Sequence, residues 1–252
     1  AFSPFEIWFG ASKKKLTYVN FLRDLKDCGL GSMPGTAAEI LDVEIRKKLT
    51  KNKLSTEKWI EIIKTAHSLN IPTTATIMYG HIDSPIHWAE HLAKLREIQK
   101  ETGGFTELVP LSFVYKESPL YKENPSIVRR GPTLNEIKRM HAIARIMLSG
   151  WIDNIQVSWT KLGPKIAQEM LSLGVNDLGG TLMNESISRS SGSQFGQEIT
   201  ASEMVKIIRH AGRNPAQRNT IYEISKTFDG CDPKELPPLV PRNGTNPLEF
   251  IN

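Results

Sequence analysis

Cysteine is scarce in this sequence, with Cys28 and Cys231 standing far apart in a chain of 252 residues. So low a content excludes a scaffold held together by disulfides. It is typical of proteins in a reducing compartment, so we expect a cytoplasmic location. The two cysteines do not form the C-x₂-C pair of a zinc site, and we expect no metal ligands in this chain.

Long apolar runs and strongly basic segments are missing as well. No run approaches the ~18 apolar residues of a membrane span, so we expect no membrane partner. The net charge is +5, and the one tight basic cluster, residues 13–15, carries no interleaved aromatic residues, which argues against nucleic-acid binding. The chain begins at Ala1 without a charged and then apolar leader, so no signal peptide is expected.

Strand-like and helix-like segments alternate along most of the chain, which predicts an α/β fold. Their spacing is close to the ~31 residues per βα unit of a TIM barrel, so we expect a barrel with about six of its eight units present. Because the chain starts abruptly, we expect the missing units at the N-terminus. An open, doubly wound sheet is the alternative. The predicted strands end near Ile7, Ser32, Tyr79, Val114, Trp159 and Met183.

The barrel is expected to cover residues 1–225. Residues 226–252 are rich in Pro, Gly and Asn, and we expect them to form a loosely packed tail. The segment from Phe105 to Val114 is predicted to be a strand broken at Pro110. Apolar spacing, caps and terminal glycines predict helices over residues 57–69, 85–101, 133–149 and 201–211.

Residues 32–41, with the sequence SMPGTAAEIL, place Glu39 just after a turn that Pro and Gly enforce. The small residues before Glu39 let a ligand approach the backbone closely. Arg46 follows near enough in a helical start to share a site with Glu39. The alternative is a simple helix start in which Thr36 and Glu39 form a capping box.

Polar residues also lie at other predicted strands, whose ends form the active sites of barrel enzymes. His81 follows a strand directly and stands beside Asp83, so it is a candidate general acid or base. Gln156 alternates with apolar neighbours on another strand. Its amide either hydrogen-bonds the edge of a uracil-like ring or ties neighbouring strands together.

The last predicted strand, residues 175–183, turns into a glycine-rich loop at residues 179–181. Its backbone N–H groups, including that of Thr181, either cradle a phosphate or simply form a tight turn. Asp177 and Glu185 stand on either side of this turn, and each is a candidate partner for an amine or hydroxyl group.

Six sequence motifs follow one another in a fixed order along the chain. They are residues 2–6 (FSPFE), 34–41 (PGTAAEIL), 78–81 (MYGH), 104–113 (GFTELVPLSF), 154–159 (NIQVSW) and 176–185 (NDLGGTLMNE). Together they resemble the CofH family, the radical S-adenosylmethionine (SAM) subunit of deazaflavin (FO) synthase, and the resemblance covers about residues 1–222. Radical SAM enzymes of the menaquinone futalosine route are similar relatives. Residues 36–38 and 154–159 favour the FO synthase branch.

The resemblance implies a radical SAM-type TIM barrel and a transfer reaction. Family members cleave SAM at a [4Fe-4S] cluster, and the resulting radical converts L-tyrosine to a 4-hydroxybenzyl radical. That radical adds to the uracil ring of 5-amino-6-(D-ribitylamino)uracil. A CofG-type second radical SAM subunit, or a fused domain, then closes the deazaflavin.

The resemblance and the positions at strand ends together imply roles for individual residues. Glu39 and Arg46 are expected to bind the amino-acid part or the ribose of SAM. The backbone at Leu111 and Ser112 is expected to meet its adenine. The residues expected to face substrate are Glu6, His81, Gln156, Asp177, Thr181 and Glu185.

The chain departs from the family in one respect. The family holds its cluster on a C-x₃-C-x₂-C loop, and neither Cys28 nor Cys231 belongs to such a loop. A truncated sequence, with the loop upstream, explains this departure, and so does a chain without a cluster that only binds ligands. Three hypotheses therefore stand: a CofH-type transferase, a menaquinone-type radical SAM enzyme, and a non-catalytic barrel that binds a nucleoside-like ligand or a partner.

Overall fold

A computed structural model describes residues 2–49, 54–182 and 184–233 of the chain. The strand end predicted at Met183 and residues 234–252 of the predicted tail lie outside the described residues. The longer helices are α1 (Pro4–Lys14), α2 (Tyr18–Asp27), α4 (Thr56–Ser68), α5 (Pro85–Thr102), α7 (Leu134–Leu148) and α11 (Ala201–His210). The shorter helices are α3 (Val43–Leu49), α6 (Pro119–Glu123), α8 (Trp159–Leu162), α9 (Pro164–Met170) and α10 (Ser186–Ser190).

The centre of the fold is a parallel sheet in the order β1 (Thr73–Tyr79), β2 (Phe105–Ser112) and β3 (Asn154–Ile155). Two isolated parallel bridges extend it on either side, Met33 with Thr73 and Gln156 with Asp177. The predicted α/β class with a parallel sheet is confirmed. Over the ranges that the structure describes, the sheet is open and does not close into a barrel.

The prediction of a strand that ends at Ile7 is wrong, because Ile7 lies in the first part of α1. Pro4 occupies the first helical turn, where its missing N–H costs nothing. The Ser3 N–H donates to Glu6 Oε2 at 2.8 Å, so Glu6 completes a capping box. The aromatic residues of this segment favour strand by propensity, and the cap overrides them.

Two other predicted strands are shorter than expected. The stretch ending at Ser32 contributes only the bridge at Met33, and Trp159 begins α8 instead of ending a strand. By contrast, β1 ends at Tyr79 as predicted, and β2 runs through Pro110 without a break.

The end of the described chain forms an antiparallel hairpin of β4 (Ala216–Arg218) and β5 (Ile224–Thr227). The predicted boundary between residues 225 and 226 falls inside β5. The division of the chain into a barrel and a tail stays a prediction.

The two faces of the parallel sheet differ in chemistry. One face carries apolar side chains that pack into the main core with residues of α5 and α7, among them Ala75, Ile77, Leu108 and Ile155. Because side chains alternate along a strand, Thr74, Glu107 and Gln156 point to the other side. We call this other side the polar face.

His91 on α5 ties the loop after residue 35 to β1. The Leu41 N–H donates to its Nδ1 at 3.0 Å, and Nε2–H donates to the Thr76 carbonyl at 3.1 Å. This arrangement requires the neutral imidazole. Burial lowers the pKa of His91 to about 3.

The depressed pKa of His91 predicts acid sensitivity. In the unfolded chain the His91 imidazole takes up a proton below pH ~6.5, and in the folded chain it does not. The contribution of His91 to the free energy of unfolding is therefore complete above that pH and is lost as the pH falls toward 3. We expect His91 alone to cost about 2 kcal/mol of unfolding free energy between pH 6.5 and 5. Urea unfolding over this range measures the loss. An NMR signal of the His91 ring that titrates above pH 5 in the folded protein would contradict it.

No helix within residues 2–49, 54–182 and 184–233 combines the length and apolar character needed to cross a bilayer. The cytoplasmic location stays a prediction.

Candidate functional site

Five side chains meet on the polar face of the sheet, and we call them the Glu107 cluster. Glu107 comes from β2, Gln156 and Asp177 from the bridge beside β3, and Arg218 and Tyr222 from the C-terminal hairpin. Four separate segments of the chain therefore supply this site. The cluster is Glu107, Gln156, Asp177, Arg218 and Tyr222.

Glu107 lies at the centre of the cluster and is 1% exposed. Its Oε2 accepts hydrogen bonds from Gln156 Nε2 and from the Tyr222 hydroxyl, both at 2.8 Å. Its Oε1 is buried and has no hydrogen-bond partner among the described residues. Burial, and then the nearby Asp177 carboxylate, raise the pKa of Glu107 to about 7.

Arg218 links the hairpin to the sheet. Its Nε donates to Asp177 Oδ2, and its Nη2 lies 3.7 Å from Glu107 Oε1. Its guanidinium stacks over the Tyr222 ring at 4.0 Å from the ring centroid. Asp177 also accepts the Gly179 N–H at 2.6 Å. The glycine turn and the hairpin are thus fixed by one carboxylate.

Gln156 lies against Gly179. The backbone of Gly179 has φ +78°, and a Cβ built there would approach Gln156 Oε1 to 2.6 Å. Glycine at this position therefore lets the Gln156 amide turn toward Glu107.

A cavity of about 770 Å³ borders the cluster. Three cluster residues line it, Asp177, Arg218 and Tyr222, and so does the exposed Thr181. Apolar side chains of α11, such as Met204 and Ile208, form part of its wall. An apolar cavity with a few convergent polar groups is the usual form of a small-molecule site.

Glu39 and Arg46 are both buried, and they lie on another part of the fold. Arg46 Nε donates to the Leu54 carbonyl at 2.6 Å, Nη2 donates to the Ala37 carbonyl at 3.1 Å, and Nη1 donates to the Ala38 carbonyl. Burial lowers the pKa of Arg46, and the Glu39 carboxylate opposes that shift. The structure thus brings the pair together, with the guanidinium holding the loop backbone.

His81 is fully buried, and its ring contacts the backbone on both sides. The Ile82 N–H donates to Nδ1 at 2.7 Å, and Nε2–H donates to the Met78 carbonyl at 3.0 Å. Asp83 accepts the backbone N–H groups of Gly80 and His81. Burial lowers the pKa of His81. Asp83 Oδ1 also lies 3.0 Å from His81 Nδ1. These contacts shape a turn, and an acid–base role for His81 stays a prediction.

Leu111 and Ser112 are the last residues of β2, which ends two residues before the predicted Val114. Ser112 Oγ donates to the Tyr79 hydroxyl at 3.3 Å and lines a second cavity of about 240 Å³ together with Lys161. Burial lowers the pKa of Lys161, against the opposing effects of the Glu185 and Glu39 carboxylates. Lys161 therefore lies within electrostatic reach of two predicted site residues, and the sequence interpretation overlooked it.

The remaining predicted residues have local partners. Glu185 caps α10 by accepting the N–H groups of Ile187 and Ser188. Glu6, in its capping box on α1, is exposed. Roles for Glu6 and Glu185 in substrate binding stay predictions.

The cysteines do not fit the [4Fe-4S] cluster that the resemblance implies, because its C-x₃-C-x₂-C loop would supply three thiolates. Cys28 and Cys231 are both exposed, and they are the two cysteines that the sequence has. Over the described ranges, no group of three His, Cys, Asp or Glu side chains is placed to hold a metal ion.

Residues 102–230, which include the Glu107 cluster, match the family described as CofH/MqnC C-terminal region. The chain belongs to the CofH/MqnC family. The resemblance deduced from the sequence motifs is thereby confirmed.

Curated relatives align with most of this chain. A 5-amino-6-(D-ribitylamino)uracil–L-tyrosine 4-hydroxyphenyl transferase of Methanocaldococcus jannaschii is 51% identical over 224 residues, which is 89% of this chain and 62% of that protein. The transferase of the same name from Methanothermobacter thermautotrophicus is 50% identical over 88% of this chain and 60% of its own length. An FO synthase of Mycobacterium leprae is 51% identical over 89% of this chain and 26% of its own length. The chain therefore spans about three fifths of the archaeal transferases.

Sequence reasoning missed three residues of the cluster in this CofH/MqnC chain. Glu107 had a detectable signal, because it is a carboxylate inside the apolar strand segment FTELV. Arg218 and Tyr222 had none, since they lie beyond the predicted helices in a segment without a periodic pattern.

Proposed function

We propose that this chain is part of a 5-amino-6-(D-ribitylamino)uracil–L-tyrosine 4-hydroxyphenyl transferase of FO biosynthesis. The observation that carries the proposal is identity of 49–52% to transferases and FO synthases over 88–90% of the chain. The family match over residues 102–230 includes the residues of the polar face on β2 and the hairpin. A radical SAM-type TIM barrel in the complete protein is part of the proposal.

In this proposal the Glu107 cluster and its cavity receive substrate. Gln156 and Asp177, predicted to face substrate, stand beside the cavity, and Thr181 lines it. Their amide, carboxylate and hydroxyl groups suit a polar ring with a polyol side chain, since each buried polar atom of such a ligand needs a partner. The ligands would be L-tyrosine and the ribitylaminouracil.

SAM binding rests on the other group of residues. Glu39, Leu111 and Ser112 are proposed to meet SAM, whereas the observed contacts of Arg46 favour a structural role. The family implies SAM and an iron–sulfur cluster in complete enzymes. No step through the cluster is assigned to this chain, because its cysteines do not match the ligand set. A CofG-type partner stays a prediction.

The test is product formation by the full-length protein. We expect the protein encoded by the complete gene, reconstituted with iron and sulfide and supplied with SAM, L-tyrosine and the ribitylaminouracil, to form a hydroxybenzyl adduct detectable by mass spectrometry. An assay without tyrosine is the control. Turnover of a futalosine-route substrate with no adduct would favour the menaquinone-type enzyme. Substrate binding without any turnover would favour a ligand-binding chain.

A further inference from the structure

Glu107 is a buried carboxylate, and only one of its two oxygens accepts hydrogen bonds from the described residues. Its Oε2 holds two hydrogen bonds, and its Oε1 is shielded from solvent without a hydrogen bond from any described residue. Arg218 Nη2, at 3.7 Å from Oε1, is close enough for an ion pair and too far for a hydrogen bond. Leaving a buried carboxylate oxygen unsatisfied is costly, so a structural role alone explains it poorly.

Two side chains lie between the cavity and the Glu107 carboxylate. Arg218 and Tyr222 line the cavity, and both also contact Glu107. Glu107 itself does not line the cavity, so a ligand that fills the cavity contacts the two side chains that cover Glu107 and reaches Oε1 by displacing the Arg218 guanidinium, which lies 3.7 Å away without a hydrogen bond to it. The other residues of the cluster, Gln156 and Asp177, orient the carboxylate and Arg218.

We infer that Glu107 is a substrate-binding residue, and that its Oε1 accepts a hydrogen bond from an exocyclic amine of the ribitylaminouracil. Tyr222 and Gln156 hold Oε2 and so fix the carboxylate for this contact. The inference rests on the proposed function, because it takes its ligand from there. It adds a residue and a recognition chemistry that the family match does not assign.

The charges of the cluster favour a neutral donor. Two carboxylates, Glu107 and Asp177, face one guanidinium, that of Arg218, so an anionic group would be repelled. A neutral aromatic amine loses less hydration on entering this buried place than the ammonium group of tyrosine does. The ribitylaminouracil therefore fits the position better than the amino-acid substrate.

The protonation of Glu107 gives the contact a pH signature. The groups that face Glu107 are Asp177, Arg218 and Tyr222, and together with burial they leave its pKa at about 7. Burial raises the pKa of Tyr222, so Tyr222 stays a neutral donor over the working range. Only the ionised Glu107 is a full acceptor for an amine N–H. Affinity for the ribitylaminouracil should therefore increase as the pH rises through about 7.

The test is calorimetric binding of the ribitylaminouracil and, separately, of L-tyrosine to the full-length protein between pH 6 and 8.5. We expect Glu107→Gln to weaken ribitylaminouracil binding about tenfold or more at pH 8. The variant should also lose the component of the pH dependence centred near 7. Tyrosine affinity should be unchanged. Glutamine keeps an oxygen to accept from Tyr222 and Gln156, so the fold should survive.

Tyr222→Phe is the matched control, because it removes the hairpin's hydrogen bond to Glu107 and keeps the ring. If Glu107 only anchored the hairpin, Glu107→Gln, which keeps an acceptor for Tyr222, would bind the ribitylaminouracil like the wild type while Tyr222→Phe would bind it more weakly, and this outcome would overturn the inference. Wild-type affinity in Glu107→Gln, or a loss confined to tyrosine, would overturn it as well. Failure of the wild-type protein to bind the ribitylaminouracil at any pH would instead reject the proposed function, and the inference with it.

Discussion

Gly35→Ala is expected to destabilise the chain by at least about 3 kcal/mol, at the upper end of overpacking costs. A Cβ at this position would lie 2.0 Å from the Thr74 carbonyl oxygen and 3.2 Å from the Ala75 Cα. Both are backbone atoms of β1, so no side chain can rotate away. Urea unfolding, followed by circular dichroism, measures the loss.

The backbone at Gly35 cannot move aside easily, because it is hydrogen-bonded on both sides. Its N–H donates to Thr74 Oγ1 at 3.0 Å, and its carbonyl accepts from Trp59 Nε1 at 3.2 Å and from Thr76 Oγ1 at 3.1 Å. Gly31→Ala is the matched control, since a Cβ there meets no atom within 4 Å. Equal stability of the two variants would contradict the close approach of Gly35 to the backbone of β1.

Arg46→Ala is expected to cost about 3–5 kcal/mol, because several buried partners lose a charged donor at once. The carbonyls of Ala37 and Leu54 accept from Arg46 in the folded chain, and the Glu39 carboxylate lies within its electrostatic reach. Arg46→Lys should recover part of the loss, because one ammonium cannot reach every acceptor of a guanidinium. Equilibrium unfolding of both variants measures the two effects.

This prediction separates a structural Arg46 from a SAM ligand. Lys47→Ala is the control, because Lys47 is exposed and pairs only with the exposed Glu44 in the described contacts, so its removal should change stability by less than about 0.5 kcal/mol. A stable Arg46→Ala protein that has lost SAM binding would restore the role first predicted for Arg46. An unfolded or strongly destabilised variant supports the structural role.

The helices that the sequence predicted well have strong local signals. Thr133 and Thr200 each begin a helix with a Glu three residues later, and both capping boxes are present in the structure. The same signal was present at Ser3 and Glu6, where aromatic residues of high strand propensity concealed it. A cap fixes specific hydrogen bonds, whereas propensity is a weak preference that local bonding overrides.

The predicted site residues were harder to interpret, because their partners are backbone groups or side chains from distant parts of the chain. A sequence does not show which backbone carbonyls a side chain will bind. The proximity of Arg46 to Glu39 was therefore interpreted as a ligand site. Gln156 and Asp177 could be predicted, since a polar residue inside an apolar strand must find a partner. Glu107 met the same criterion and was overlooked. Its partners on the hairpin are more than 100 positions away, a distance that no local pattern spans.

Pro110 has a consequence for the shape of the polar face. Gln156 N–H donates to the Leu108 carbonyl at 2.9 Å, and the next rung would require an N–H at position 110 to donate back to Gln156. Proline has no such hydrogen, so the rung cannot form although β2 keeps its path to Ser112. One missing donor thus ends the hydrogen-bond ladder between β2 and β3 beside Gln156, and among the described strands β2 continues to Ser112 paired with β1 alone.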